Sequence, residues 1–196
     1  NLDNKELLNV CARCHSRRAI MSDYDNNNED LLNYMIPQLI TQPIYHADGQ
    51  ILDEDYEYAS FTQSKMFEKG IKCSDCHDSH SVKTLKPDNQ LCLKCHRPDI
   101  YDTPSHHFHK MEAEIAKPLI NSGKPDYIQG TGSQCVNCHM VGKFYMGNDY
   151  RRDHSFRNPR PDLTVSIKTP NACNDCHQDK TFAWSQSFIE KWYGTR

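Results

Sequence analysis

Apolar residues along the chain fall into short clusters that are separated by polar stretches. Their spacing predicts a helix over residues 4–20, a short helix over 29–36 and a longer helix over 53–69 that ends at Gly70. Acidic residues in the first turn of the third helix and lysines near its end suit the helix dipole. The N-terminal third is therefore predicted to consist of helices joined by polar loops.

The rest of the chain is interrupted by prolines. We expect a helix over residues 109–117, a helix that begins at Thr169-Pro170 and a final amphipathic helix over 180–193. Residues 140–168 are expected to be irregular, and no strand pattern of useful length appears anywhere. The predicted fold class is mainly α with long loops and little or no β-sheet.

Composition shows that side chains alone make a thin core. Of 196 residues, 37% are hydrophobic and 25% are charged, and the mean hydropathy is −0.83. A chain of this length normally buries a larger apolar interior, so another apolar body is expected to fill it. No apolar run approaches the ~20 residues of a membrane span. The chain begins at Asn1 with a polar segment, and we expect a mature chain or a fragment of a longer one.

The cysteines indicate which apolar group fills the interior. All ten of them lie in five C-x-x-C-H motifs. The motifs are Cys11-Cys14-His15, Cys73-Cys76-His77, Cys92-Cys95-His96, Cys135-Cys138-His139 and Cys173-Cys176-His177. This spacing is typical of haem c attachment: two thiols on one turn reach the two vinyl groups, and the adjacent histidine is the proximal iron ligand. Zinc sites also use C-x-x-C pairs but do not need a histidine after each second cysteine.

Five covalently bound haems c follow from these motifs. They predict a multihaem cytochrome c fold organised around five packed haems, as one domain over residues 1–196 with possible sub-lobes 1–70 and 71–196. Because haem c is attached outside the cytoplasm, the chain is expected to be periplasmic or extracellular. Its side chains carry a net charge of −3 and haem propionates add more negative charge, so nucleic acid is not an expected partner.

Six histidines lie outside the motifs and are enough for bis-histidine ligation of every iron. The predicted distal ligands are His46, His80, His106, His109 and His154, with His107 less favoured. His80 follows the proximal His77 by three residues, so it cannot bind the opposite face of the same haem and is expected to bind a neighbouring one. Two of His106, His107 and His109 are expected to be ligands. Met140 and Met146 are alternative ligands, and Arg151 and Arg152 could pair with propionates.

Several segments around these residues resemble one family. They are residues 45–53 (YHADGQILD), 73–80 (CSDCHDSH), 101–104 (YDTP), 152–156 (RDHSF) and 170–173 (PNAC). The resemblance is to bacterial multihaem cytochromes of the doubled C-x-x-C-H and cytochrome c-554-like groups, which are often fused to tetratricopeptide repeats. It implies a helical, loop-rich, haem-packed fold and a role as an electron carrier. This chain ends at Arg196 without such repeats.

The function predicted from the sequence is electron transfer by hopping along a chain of bis-histidine haems, without catalytic residues and not as an enzyme. Expected partners are redox proteins, a larger multihaem complex, or copies of the chain itself in an extracellular filament. The alternative is a reductase or oxidase of a small nitrogen or sulfur compound that uses one open haem. Pentahaem nitrite reductases carry a lysine in place of one motif histidine, whereas all five motifs here end in histidine.

Overall fold

The computed structural model describes residues 2–24, 30–81, 83–110 and 132–195. Its α-helices are α1 (Asn4–Ala12), α2 (Glu57–Thr62), α3 (Lys65–Glu68), α4 (Cys73–Cys76), α5 (Pro98–Tyr101), α6 (Pro104–His107), α7 (Cys135–His139), α8 (Pro161–Ile167), α9 (Ala172–Cys176) and α10 (Phe182–Tyr193). Two 3₁₀ helices, η1 and η2, span Leu31–Asn33 and Asp88–Lys94. The strands are β1 (Arg18–Ile20), β2 (Met35–Pro37), β3 (Gly142–Tyr145) and β4 (Asp149–Arg152).

The chain divides into two compact units. The first comprises Asn1–Leu85 and Lys143–Phe156, and the second comprises Lys86–Gly142 and Arg157–Arg196. The first two C-x-x-C-H motifs lie in the first unit and the other three lie in the second. Residues 71–85 thus group with the N-terminal part of the chain, whereas the sequence had grouped them with the C-terminal part.

The first unit is held by two small apolar clusters. One is formed by Ala12, Leu31 and Met35, and the other by Ile44, Tyr45 and Ala59. Helix α1 reaches the first cluster, and its start is fixed by a capping box in which Asp3 and Glu6 each accept the other's backbone N–H. These clusters are small for the length of chain that they organise, in keeping with the thin core expected from composition.

The helix predicted over residues 53–69 is two helices. Tyr56 has a φ of 59°, which interrupts the backbone before α2, and Ser64 begins α3 by accepting the N–H of Phe67. Asp53, Glu54 and Asp55 lie in the loop before α2, and Glu57 is the acidic residue in its first turn. The predicted end at Gly70 is confirmed, since Gly70 has a φ of +81° directly after α3.

Short strands occupy the ends of two predicted helices. Helix α1 ends at Ala12 rather than near residue 20, where β1 follows, and the segment predicted as a helix over residues 29–36 contains the short helix η1 and then β2, which pairs antiparallel with β1. Residues 140–168, expected to be irregular, contain β3, β4 and α8. These strands of three or four residues are too short for alternation to be visible in a sequence. The described residues remain mainly helical with little sheet, as predicted.

The second unit is built around α10. This helix packs against α8 and α9, and its first turn is capped by Thr181, which accepts the N–H of Trp184. The predicted helix over residues 180–193 is therefore confirmed. The helix expected to begin at Thr169-Pro170 instead begins at Ala172, because Asn171 caps it and also donates to Thr164 at 2.9 Å. The helix predicted over residues 109–117 lies largely outside the described residues.

No helix in the described part of the chain has the length and apolar character needed to cross a membrane.

A hydrogen bond between two buried side chains lies at the second apolar cluster of the first unit. Tyr45 is 0% exposed, and its hydroxyl donates a hydrogen bond to the carboxylate of Asp55, which is 1% exposed. Burial raises the pKa of Asp55 to about 6, although the Tyr45 hydroxyl works in the opposite direction. The other carboxylate oxygen of Asp55 is buried and has no hydrogen-bond partner among the described residues. Tyr45 is thus the side chain that satisfies this buried acid.

We expect Tyr45→Phe to lower the free energy of unfolding by about 1–3 kcal/mol at pH 7, because it removes the donor to a buried ionised carboxylate. The loss should be smaller near pH 4. A raised folded-state pKa makes burial of Asp55 least costly at low pH, and that advantage is lost as the pH rises through about 6. Denaturant titration at both pH values measures the difference.

Tyr145→Phe is the matched control, since Tyr145 is also buried but its hydroxyl makes no hydrogen bond among the described residues. Its effect should stay within about 0.5 kcal/mol. Equal losses in the two variants would contradict the role given to the Tyr45 hydroxyl.

Candidate haem-binding sites

Each C-x-x-C-H motif is folded as one helical turn. In four motifs the backbone N–H of the histidine donates to the carbonyl of the first cysteine, at 2.9 Å for His15, His77 and His177 and 3.0 Å for His96. His139, in the remaining motif, is the last residue of α7. This turn places two thiols and an imidazole on one short segment, the geometry that haem c attachment needs. No disulfide joins any of the ten cysteines, all of which lie in the described residues.

Within each unit the motif helices touch in sequence order. In the first unit α1 contacts α4, and in the second α7 contacts both η2 and α9. The contacts extend to the thiols, since Cys11 hydrogen-bonds with Cys73, which lowers the pKa of Cys11 to about 6. Cys92 and Cys135 form a similar pair. Attachment points one and two are therefore neighbours, as are three with four and four with five.

Three motif histidines face a histidine from outside the motifs. The ring centres lie 6.3 Å apart for His77 and His154, 6.2 Å for His139 and His106, and 6.1 Å for His177 and His109. Two imidazoles bound to opposite sides of one iron have ring centres about 6.3 Å apart, given a metal–nitrogen distance of about 2.0 Å. Each pair thus has the room and the donor atoms for an iron between its rings.

The three pairs differ in the angle between their ring planes. His106 and His139 are nearly parallel at 9°, whereas the His77–His154 and His109–His177 planes are inclined by 35° and 34°. Ring orientation decides how the imidazole π orbitals split the iron d orbitals. The first pair is therefore spectroscopically distinguishable from the other two.

Backbone carbonyls set the orientation of two of the three facing histidines. The Nδ1 of His154 contacts the carbonyl of Arg152 at 2.9 Å, and the Nδ1 of His109 contacts the carbonyl of His107, in both cases two residues earlier. His139, a motif histidine, bonds through Nδ1 to the carbonyl of Arg157 at 3.0 Å. A carbonyl can only accept, so Nδ1 carries the proton and Nε2 keeps its lone pair for a metal.

His107 has the opposite arrangement. Its Nδ1 accepts the backbone N–H of His109 at 3.1 Å, so the proton of the neutral ring lies on Nε2. Nε2 is buried without a partner among the described residues, and burial lowers the pKa of this side chain. A ring with its proton on Nε2 is a donor and not a ligand at that atom.

Two motif histidines and two other histidines face no second imidazole within the described residues. His15 contacts Glu57 through Nδ1 at 3.1 Å, and His96 packs edge-on against Tyr101 with ring centres 5.6 Å apart. His46 lies in a tight turn closed by its N–H to Gln50, and burial lowers its pKa. His80 is exposed on a turn that begins at Asp78.

Other residues named from the sequence include Arg151, Arg152 and Met146. Arg151 pairs with Glu54 at 3.4 Å and with Asp149 at 3.5 Å, and Arg152 lies over the ring of Tyr150. The side chain of Met146 is 71% exposed. Propionate pairing by the two arginines therefore stays a prediction.

Two residues of these sites carry no sequence signal of their role. Gly132 lies so close to His109 that a Cβ on it would overlap the Cγ and Cδ2 atoms of the imidazole. Glu57 is 42 positions from the histidine that it contacts. The sequence marked neither, because a close approach to a ring and a long-range contact depend on the tertiary fold.

Comparison with known proteins places this geometry in a wider group. No protein-family model matches the chain. A sequence relative is the dissimilatory sulfite reductase MccA of Wolinella succinogenes, 26% identical over 146 residues, which are 68% of this chain and 19% of that protein. The solved outer cell wall cytochrome OcwA matches with a TM-score of 0.64 at 17% identity, over 93% of this chain and 51% of that one. The chain thus spans about a fifth and about half of these two relatives.

These relatives bear on two of the predictions. The fold class is confirmed as that of a multihaem cytochrome, mainly helical with little sheet. The prediction that the chain is not an enzyme is wrong on this comparison, because the curated relative is a sulfite reductase.

We expect Gly132→Ala to push the His109 ring away from His177, because the new methyl group would occupy the position of the ring. If an iron lies between the two rings, one haem should change from low to high spin in the oxidised protein, as followed by its visible and EPR spectra. Gly70→Ala is the control: it meets open space and strains only a positive φ, so spin state should not change. Identical spectra for both variants would contradict the packing argument.

Proposed function

We propose that this multihaem c-type cytochrome binds five haems c at its five motifs and transfers electrons along them. The observation that carries the proposal is the set of three histidine pairs whose spacing matches axial ligation of one iron. Bound haem c supplies the one-electron chemistry. The protein supplies ligands, burial and the spacing between sites.

The ligand assignment follows from the pairs. His154 is proposed as distal partner of His77, His106 as partner of His139, and His109 as partner of His177. The contacts between α1 and α4, and of α7 with η2 and α9, support close approach of successive sites within each unit.

The sites at His15 and His96 are completed differently. In the electron-transfer proposal His46 and His80 remain the distal ligands for these two sites, whereas the reductase proposal below leaves the site at His15 without one. His107 is proposed to be a hydrogen-bond donor, because its ring proton lies on Nε2.

A second function is favoured at the first motif. The ring of His15 faces no second histidine in the described part of the first unit, and MccA is a sulfite reductase. We propose that a haem bound at Cys11 and Cys14 would keep an open face, where a small oxyanion of sulfur or nitrogen would be reduced by electrons that redox partner proteins supply through the other sites. Reduction of such an oxyanion takes several electrons, and the other haem sites would store them.

Location and partners form a further part of the proposal. Haem c attachment and the resemblance to an outer cell wall cytochrome favour a periplasmic or extracellular protein. Redox proteins, a larger multihaem complex or further copies of the chain in a filament are the proposed partners. Negative-stain microscopy of the purified holoprotein distinguishes filaments from single particles.

EPR of the fully oxidised holoprotein tests the function directly. Low-spin ferric signals are expected for the three paired sites, and the nearly parallel pair should give a rhombic signal distinct from those of the inclined pairs. A high-spin signal that disappears on adding sulfite or nitrite supports the reductase, and its absence removes that candidate while leaving electron transfer intact. High-spin signals from most of the haem would overturn the bis-histidine assignment.

We expect His154→Ala to convert one haem from low to high spin, because it removes the ring that faces His77. EPR spin quantitation of the oxidised protein measures the change. His107→Ala is the matched control, since it leaves the backbone carbonyl that holds His109 in place. Loss of a low-spin signal in the control as well would show that His107 is a ligand and contradict its assignment as a donor.

A further inference from the structure

We infer that Glu57 is a positioning residue that holds the first-motif haem iron at a lower reduction potential than its neighbours. It does so through its carboxylate, which is hydrogen-bonded to the imidazole of His15. This inference rests on the proposed attachment of haem at Cys11 and Cys14, but it does not depend on whether that iron has an open face.

The start of α2 makes hydrogen bonds to two atoms of His15. The Oε2 of Glu57 lies 3.1 Å from the Nδ1 of His15, and the backbone N–H of the next residue, Tyr58, donates to the His15 carbonyl at 3.0 Å. Helix α1, whose end contains Cys11 of the first motif, also contacts α2. The carboxylate is thus placed by a packed element and a backbone hydrogen bond, not by a mobile side chain alone.

The charge of Glu57 is directed at His15 because nearby cations are engaged elsewhere. In the loop before α2, Asp53 pairs with Arg17 at 3.3 Å and Glu54 pairs with Arg151 at 3.4 Å. Among the described residues no lysine or arginine pairs with Glu57. Its side chain is 29% exposed, against 57% for His15, so solvent screens it only in part.

This carboxylate distinguishes His15 from His139 and from the facing histidines His109 and His154. The Nδ1 of His139 and those of the facing histidines His109 and His154 contact neutral backbone carbonyls. A carboxylate that accepts the Nδ1 proton makes the imidazole a stronger donor to its metal, as in carboxylate–histidine–metal arrangements. A stronger donor favours the more highly charged ferric iron, which lowers the reduction potential.

Two consequences follow for electron flow. The first-motif site should be the last to accept an electron as the protein is reduced, so electrons would accumulate first on the other sites. Its iron would also be electron-rich when reduced, a property that favours donation into a ligand bound opposite His15. Once reduced, such a low-potential site is a strong donor to a bound acceptor, in line with the proposed reductase.

Glu57→Gln tests the inference in the holoprotein. Glutamine keeps an oxygen that can accept from Nδ1 but removes the charge, so the substitution isolates electrostatics from geometry. We expect the midpoint potential of one of the five one-electron waves in a spectroelectrochemical titration to rise by about 59 mV. This rise corresponds to a change of about tenfold in the equilibrium constant for one electron. Glu68→Gln is the matched control: it makes the same charge change on exposed α3, away from any histidine contact, and should move no single wave.

Resonance Raman spectroscopy separates this inference from the proposed open site. A five-coordinate ferrous haem shows an iron–histidine stretch, and a six-coordinate bis-histidine haem does not. If the band is present and falls in frequency in Glu57→Gln, both ideas stand. If the band is absent but the single wave still moves, the open site fails and the role of Glu57 stands. Unmoved waves, or equal movement in Glu57→Gln and Glu68→Gln, would overturn the role of Glu57.

Discussion

The hydrogen bond from a motif histidine back to its first cysteine is the contact on which the rest of the structure depends. It closes a single turn that presents two thiols and one imidazole together, and four of the five motifs show it directly. The apolar clusters of the first unit contain only three buried residues each. With so little side-chain core, contacts between the motif helices are a large part of what organises each unit, beside the packing of α10 against α8 in the second.

Hydrogen bonding at Nδ1 then divides the histidines by role. Where a backbone carbonyl accepts from Nδ1, the ring is left ready to bind a metal through Nε2; where a backbone N–H donates to it, as at His107, the ring is turned into a donor. Where a carboxylate accepts, as at His15, the ring gains electron density. One type of side chain thus serves three purposes within one chain, and the difference is made by whichever atom lies opposite one ring nitrogen.

Sequence reasoning succeeded where the signal is local. The motifs, the final helix and the end of α3 at Gly70 each depend on a few adjacent residues. It failed where distant parts meet: the left-handed Tyr56 that divides a predicted helix, the strand pairing of residues 18–20 with 35–37, and the approach of Gly132 to His109. It also predicted a protein that is not an enzyme, which the likeness to a sulfite reductase contradicts, because a count of spare histidines does not reveal which of them face a motif histidine.

The orientation of His109 and His154 has a consequence for how multihaem cytochromes can gain haem sites and become longer in evolution. Each fixes its tautomer with the carbonyl two residues before it, so the orienting device is contained in a tripeptide. A new distal ligand therefore needs no dedicated partner elsewhere in the fold, and a loop can acquire one by a short insertion. A new attachment point likewise needs only one turn. Cytochromes built from such small, self-sufficient parts can lengthen in steps, and a related fold of about twice this length is what stepwise extension would produce.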